Sequence, residues 1–214
     1  MPGKNIVKEY RPESFYHIYN RGVAKQEIFL DEYDYKKFLG YLKLYLTPIN
    51  IDDKTAKVFS SRQLKNYCDV IKLISYCLMP NHFHLLLYQK EIDSINYFMR
   101  SLGTKFSMYF NRKYKRVGPV FQGTYKAVEV KSESQLTYLS KYIHRNPLPV
   151  LEKDGDLENY KYSSYANYLG RFKQAWVKPA DILCYFKKSL YKDFVEEVDA
   201  RDLYLIKDVV IENP

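Results

Sequence analysis

At 214 residues, 46% of them hydrophobic, the chain is long enough to bury a core and too apolar to be globally disordered. Its 34 basic and 25 acidic residues leave a net charge of +9, which favours polyanionic partners and says nothing about fold. Cys68, Cys77 and Cys184 form no CxxC pair and no run reaches membrane-spanning length, so a disulfide framework, a cysteine zinc site and a bilayer span are all unsupported.

Residues 14–20, SFYHIYN, mix aromatic and β-branched side chains as a strand does, and Arg21-Gly22 ends the run. Phe29, Tyr33, Phe38, Tyr41 and Leu42 recur at helical spacing, with Asp31 at the N-cap position and Pro48 as the stop. Residues 49–66 are polar and read as a loop with a short helical piece. Residues 70–79, VIKLISYCLM, and 82–88, HFHLLLY, form two strands joined by a Pro80-Asn81 turn. A helical pattern covers 92–114, with Phe98, Leu102, Phe106 and Phe110 on one side. After the Gly118-Pro119 break, residues 125–130, YKAVEV, alternate as a fourth strand. Ser132 or Ser134 then caps a helix running to about His144. Beyond Pro149 the pattern weakens to a Tyr-rich turn at 161–168 and one or two short helices.

That order predicts an α+β fold: a ferredoxin-like antiparallel sheet with helices packed on one face, plus a C-terminal helical extension. The simplest division is one domain over residues 1–170 and an extension over 171–214.

His82 and His84 flank Phe83 on the third strand, where residues two apart share a face. Both imidazoles can therefore hold one divalent cation; the plain alternative is two histidines on a half-exposed strand. On the helix over 136–146, LTYLSKYIHRN, Tyr138, Tyr142 and Asn146 follow one another at four-residue steps and share a face. A tyrosine nucleophile and an amide oxygen can then reach one metal-bound phosphate. The plain alternative is tyrosines that pack and an asparagine that stops the helix before Pro147. Cleaving a phosphodiester requires charge stabilisation at phosphorus and a placed nucleophile. A phenol, with an ordinary pKa of about 10, needs a nearby cation to serve. Its product is a phosphotyrosine that stores the bond energy beside a free 3′ hydroxyl, so rejoining requires no ATP.

Five stretches in order resemble the single-tyrosine HUH transposases, in particular the REP-associated tyrosine transposase branch. They are YHIYNRG at 16–22, SYCLMPNHFHLL at 75–86, GPVFQGTYKA at 118–127, YLSKYIHRNP at 138–147 and YKYSSYANYLG at 160–170. The resemblance spans most of residues 14–170 and makes 1–170 an HUH transposase-like catalytic domain. It implies His82 and His84 as metal ligands, Tyr142 as nucleophile, with Tyr138 the competitor, and Asn146 as third ligand, a position often Gln in related enzymes. It also implies a ferredoxin-like fold, a Mg²⁺ or Mn²⁺ cofactor, and hairpin-bearing single-stranded DNA, with repetitive palindromic elements as substrate. Thr124 departs from the pattern, since many members carry Arg there.

Basic and aromatic residues interleave from Arg100 to Lys126, a mixture that can follow a phosphate backbone while stacking bases. The DNA-binding candidates are Arg21, Arg100, Lys105, Arg112, Lys113, Lys115, Arg116, Gln122 and Lys126, with Tyr109, Tyr114, Phe121 and Tyr125 as stacking candidates. The 160–168 segment reads as a structural clasp rather than a DNA reader. The expected protein is a cytoplasmic metal-dependent single-strand DNA endonuclease and transposase, monomer or homodimer, without membrane contact. Two alternatives use the same residues: a non-catalytic nucleic-acid-binding regulator derived from this fold, and a replication-initiator or mobilisation nickase with the same chemistry.

Overall fold

The computed structural model describes residues 8–48, 65–151, 155–186 and 190–197. The loop expected over 49–66 falls almost wholly outside these residues, as does the part of the C-terminal extension beyond Glu197.

Four strands form one sheet: β1 Ser14–Arg21, β2 Ile71–Met79, β3 His82–Gln89 and β4 Lys126–Val130. Their order is β2-β3-β1-β4 and every neighbouring pair is antiparallel, the arrangement of a ferredoxin-like sheet. β2 and β3 are joined through Pro80-Asn81, as the turn chemistry predicts.

Helix α1, Glu32–Leu46, begins where Asp31 accepts a hydrogen bond from the Asp34 amide at 3.0 Å and Asp34 returns the favour as a capping box. Helix α2, Ser94–Lys113, carries four basic residues and no acidic one. Its Phe98, Leu102, Phe106 and Phe110 meet Phe38 and Leu42 of α1 against Tyr16, Ile18, Phe83, Leu85 and Leu87 of the sheet. These two helices are the expected layer on one face.

A second layer covers the other face. Helix α3, Glu133–Arg145, is capped by Ser132, whose hydroxyl accepts from the Gln135 amide at 3.1 Å. Its Leu136, Leu139 and Ile143 bury Ile74, Cys77, Leu86 and Val130. The short helices α4 Tyr165–Tyr168, α5 Ala180–Leu183 and α6 Leu190–Glu196 complete that layer through Tyr165, Tyr168, Ile182, Tyr191 and Val195. The one-faced expectation thus gains a layer, because this face of the sheet is also apolar and must be taken out of water.

The edge of β2 is covered from the same region. The Tyr160 hydroxyl donates to the Leu78 carbonyl at 2.7 Å, the Leu78 amide to the Tyr162 carbonyl at 2.9 Å and the Tyr168 hydroxyl to the Ile74 carbonyl at 3.0 Å. Val177 adds a parallel bridge to Leu73. An edge that would otherwise offer unpaired amides to another chain is closed. The 160–168 segment is thus a clasp, and Trp176 and Val177 join the first core although they lie beyond residue 170. Among the described residues no helix is long and apolar enough to cross a membrane.

Candidate active site

Strand parity builds the site. Phe15, His17, Tyr19 and Arg21 of β1 face the α3 layer, and the register sets Tyr19 opposite His84 and Arg21 opposite His82. On β4, Lys126 pairs with Tyr19 and its ammonium lies 5.4 Å over that ring. Tyr19 stacks on His17 at 4.9 Å and on His84 at 5.9 Å between ring centroids.

Tyr142 reaches this cluster from α3. Its ring stands edge-on to His84, 5.5 Å between centroids, and edge-on to His17 at 6.3 Å. Tyr138, the competing nucleophile, instead packs edge-on against Phe194 at 5.1 Å. One turn past Tyr142, Asn146 caps α3 and places its Oδ1 3.1 Å from His82 Nε2.

Both HxH histidines are held through Nδ1. His82 Nδ1 lies 2.6 Å from Asn81 Oδ1, and His84 Nδ1 lies 2.9 Å from His17 Nε2. Burial first, then the charges of His82, His17 and Arg21, holds the His84 pKa well below the usual imidazole value. A neutral imidazole is the form that ligates a metal. The donor set, two imidazoles and an amide oxygen, suits a divalent ion such as Mn²⁺ or Mg²⁺ that completes its shell with water or phosphate oxygen. The 3.1 Å between His82 Nε2 and Asn146 Oδ1 fits too: neighbouring ligands on an octahedral ion with bonds of about 2.1 Å lie about 3.0 Å apart.

The predicted DNA contacts divide between the two faces. Arg21 and Lys126 flank the histidines, and Gln122 adjoins Arg21 through an amide-to-carbonyl bond of 2.8 Å. Arg100, Lys105, Arg112 and Lys113 belong to α2 across the sheet, with Lys115 and Arg116 in the turn after it. Arg100 lines a cleft of about 270 Å³ with Asn20, Phe121 and Thr124.

Lys113 is engaged within the protein. Its ammonium donates to Asp31 at 2.7 Å and to Asp34 at 2.7 Å, and Asp34 also accepts from Tyr109 and Tyr114. Tyr125 bonds Tyr10 at 2.6 Å, and Phe121 packs edge-on to Phe83. The stacking candidates therefore all have partners in the fold.

Three contributors escape a reading of motifs. His17 is fully buried against His84, yet its face follows only from the β1–β3 register. Lys141, beside Tyr142, is buried with its ammonium 4.9 Å over the Phe194 ring. His144 joins the Tyr191 hydroxyl and the Ser164 hydroxyl, both at 2.8 Å, and burial pushes its pKa down to about 3. It anchors α3 to the helices behind it.

A second group of possible ligands, Asp156, Glu158 and Glu196, lies apart from the histidines. Arg171 and Lys192 pair with the buried Glu158 carboxylate there, so this group reads as an ion-pair network.

Residues 45–146 match the family model described as "Transposase IS200 like". Over that stretch, just under half of its length, the chain is similar to the IS200-like transposases. The IS200-like stretch contains β2, β3, α2, β4 and α3, and with them His82, His84, Tyr142 and Asn146. His17 and Arg21 lie before it and the β2 clasp after it.

Among solved structures, the chain is similar to a REP-associated tyrosine transposase bound to a REP hairpin, with 10% identity and a TM-score of 0.48 over 80% of this chain and 98% of that one. It is also similar to a putative transposase from Deinococcus radiodurans R1, with 16% identity and a TM-score of 0.39 over 65% of this chain and 95% of that one. No curated protein sequence matches the chain.

Proposed function

We propose that this IS200-like protein is a metal-dependent transposase that cuts and rejoins hairpin-bearing single-stranded DNA, with Tyr142 as nucleophile. The observation that carries this reading is the convergence of Tyr142 on His84, 5.5 Å between ring centroids, beside the His82–Asn146 contact of 3.1 Å. A nucleophile without a cation, or a cation site without a nucleophile, would not support it.

His82, His84 and Asn146 would hold Mg²⁺ or Mn²⁺, which supplies positive charge against a scissile phosphate and helps to orient it. Arg21 and Lys126 draw the DNA backbone toward the same sheet face. The Tyr142 oxygen, losing its proton, attacks phosphorus and forms the Tyr–O–P bond. The P–O3′ bond breaks, and the departing 3′ oxygen takes up a proton. The products are a 5′-phosphotyrosine and a free 3′ hydroxyl. In the reverse sense a 3′ hydroxyl attacks that phosphotyrosine, which joins strands without ATP. The basic α2 surface across the sheet supports a longer contact with a hairpin stem.

The test is incubation of end-labelled single-stranded hairpin DNA with the protein and Mn²⁺, beside Tyr142→Phe, on a denaturing protein gel. The reading expects a covalent protein–DNA band in the wild type and none in the variant. A band that survives in Tyr142→Phe moves the nucleophile to another residue, Tyr138 first. Tight binding without any band supports a non-catalytic nucleic-acid-binding protein.

A further inference from the structure

We infer that His17 is a positioning residue for the metal site, fixing the tautomer of His84 that ligates through Nε2. The inference rests on the metal-dependent reading above and adds to it a residue outside the IS200-like stretch.

The argument begins with the bond between two imidazoles. His17 Nε2 and His84 Nδ1 are 2.9 Å apart, and the ring planes are nearly parallel, at 19°. One nitrogen must donate and the other accept, so the pair has two neutral arrangements. In the first, His84 carries its proton on Nδ1 and donates it to His17 Nε2. The lone pair of His84 then lies on Nε2. In the second, His17 donates from Nε2, the His84 proton sits on Nε2, and that nitrogen cannot ligate. The bond partner on Nδ1 therefore decides whether the metal-facing nitrogen is available.

His82 supports the same division of labour. It too is held through Nδ1, by Asn81 Oδ1 at 2.6 Å, and it too presents Nε2, toward Asn146. An amide oxygen can only accept, so the shorter bond to Asn81 favours the Nδ1–H tautomer of His82, and a cation shared by Nε2 and the Asn146 oxygen would complete it. His17 performs the corresponding task for His84 with an imidazole, which brings no formal charge of its own into a site meant to take a phosphate.

The fold leaves His17 little freedom to do otherwise. Its side chain is 1% exposed, Tyr19 stacks on it at 4.9 Å and Tyr142 stands edge-on at 6.3 Å. Movement of the ring would disturb both the ligand and the nucleophile. His17 also sits diagonal to His84 in the register, where the direct cross-strand partner is Tyr19. That diagonal placement brings His17 Nε2 within hydrogen-bond reach of His84 Nδ1.

The experiment uses the full chain labelled with 15N-histidine, without metal and then with Mg²⁺, and reads ring tautomers from long-range proton–nitrogen correlations. Mn²⁺ affinity is measured in parallel for wild type, His17→Phe and His17→Gln by the EPR signal of the unbound ion. The inference expects His84 as the Nδ1–H tautomer in the wild type. It expects His17→Phe to weaken Mn²⁺ binding about 10- to 100-fold, and His17→Gln, whose amide oxygen can accept the same proton, to recover most of the loss. A wild-type His84 protonated on Nε2, or a folded His17→Phe with wild-type Mn²⁺ affinity, overturns it. If His17→Phe fails to fold, the wild-type tautomer and the glutamine variant decide. A wild type that binds no Mn²⁺ at all sinks the metal reading itself, a result separate from equal binding by wild type and His17→Phe.

Discussion

Lys113 offers the sharpest separation of a structural role from a DNA-binding one. Its side chain is 24% exposed, its ammonium bonds both Asp31 and Asp34, and the Asp34 side chain is 0% exposed. Asp34 also accepts from Tyr109 at 2.6 Å, Tyr114 at 2.7 Å and the Leu30 amide at 2.9 Å. Replacing Asp34 with Asn removes the charge and turns an N–H₂ toward groups that are themselves donors. Breaking a fully buried pair costs about 3–5 kcal/mol, and the partial exposure of Lys113 reduces this to roughly 2–4 kcal/mol. At about 2–4 °C per kcal/mol for a chain of this size, Asp34→Asn should lower the melting temperature by roughly 4–16 °C. Lys113→Met, which leaves four other hydrogen bonds to Asp34 in place, should cost about 1–2 kcal/mol. Burial raises the Asp34 pKa, but the bonds from Lys113, Tyr109, Tyr114 and Leu30 outweigh it and hold the group below its usual value. The folded value is the depressed one, so this stabilisation is present above about pH 4 and is lost as pH falls through the folded pKa. Acid titration of stability should therefore be shallower in Asp34→Asn than in the wild type. Thermal and urea melts read the first effect, and fluorescence titration with single-stranded DNA reads the second role. An unchanged melt for Lys113→Met, with DNA affinity cut tenfold and a log-salt slope reduced by about 0.7, would refute the structural assignment.

Two further substitutions probe how the site is held. A Cβ added at Gly22 would lie 2.0 Å from the Gln26 carbonyl oxygen and 2.9 Å from Ile28 Cγ2. Gly22→Ala should thus cost about 1–3 kcal/mol in urea melts; a variant as stable as the wild type would show that the turn after β1 yields freely. His144→Phe removes two hydrogen bonds, while the Tyr191 hydroxyl keeps Ser140 and the Ser164 hydroxyl keeps the Tyr76 backbone, so the cost should be about 1–3 kcal/mol in all. The loss should appear in the melting temperature and in a slower appearance of the proposed covalent protein–DNA band, whereas an unchanged rate would free Tyr142 from dependence on this anchor.

Local chemistry in the sequence reveals much of the fold, and long-range pairing conceals the rest. The Asp31 cap of α1, the Ser132 cap of α3 and the Pro80-Asn81 turn each depend on residues within four positions, so their signals survive in one dimension. The HxH spacing and the four-residue step from Tyr142 to Asn146 are equally local, and they meet in space as that spacing suggests. His17 is different. Its alternation shows that it shares a face with Tyr19 and Arg21, but which face that is follows only from pairing with a strand more than sixty residues away. Lys113 is hidden for the same reason, since its carboxylate partners are 79 and 82 positions distant and a run of basic residues gives no hint of them. The second helical layer also resists prediction. The strands are apolar on both faces, which signals burial without naming the element that provides it.

The same alternation explains how one strand can serve packing and chemistry without compromise. On β1, Tyr16 and Ile18 enter the core beneath α1 and α2, while His17, Tyr19 and Arg21 face α3. A slip of one residue would exchange these sets, putting an arginine and a histidine into the core and removing His17 from His84. The register must therefore be secured at the end where the chemistry lies. It is held there from both sides: the Gly22 amide donates to the Asn81 carbonyl at 2.8 Å, beside His82, and the Gln122 amide donates to the Arg21 carbonyl at 2.8 Å. Gly22 also bridges Phe121. The close approach that forbids a Cβ at Gly22 thus lies at the point where β1, the β2–β3 turn and the entry to β4 converge, next to Arg21 and His82. Strain introduced there should reach His82 and the proposed metal site before it reaches the core.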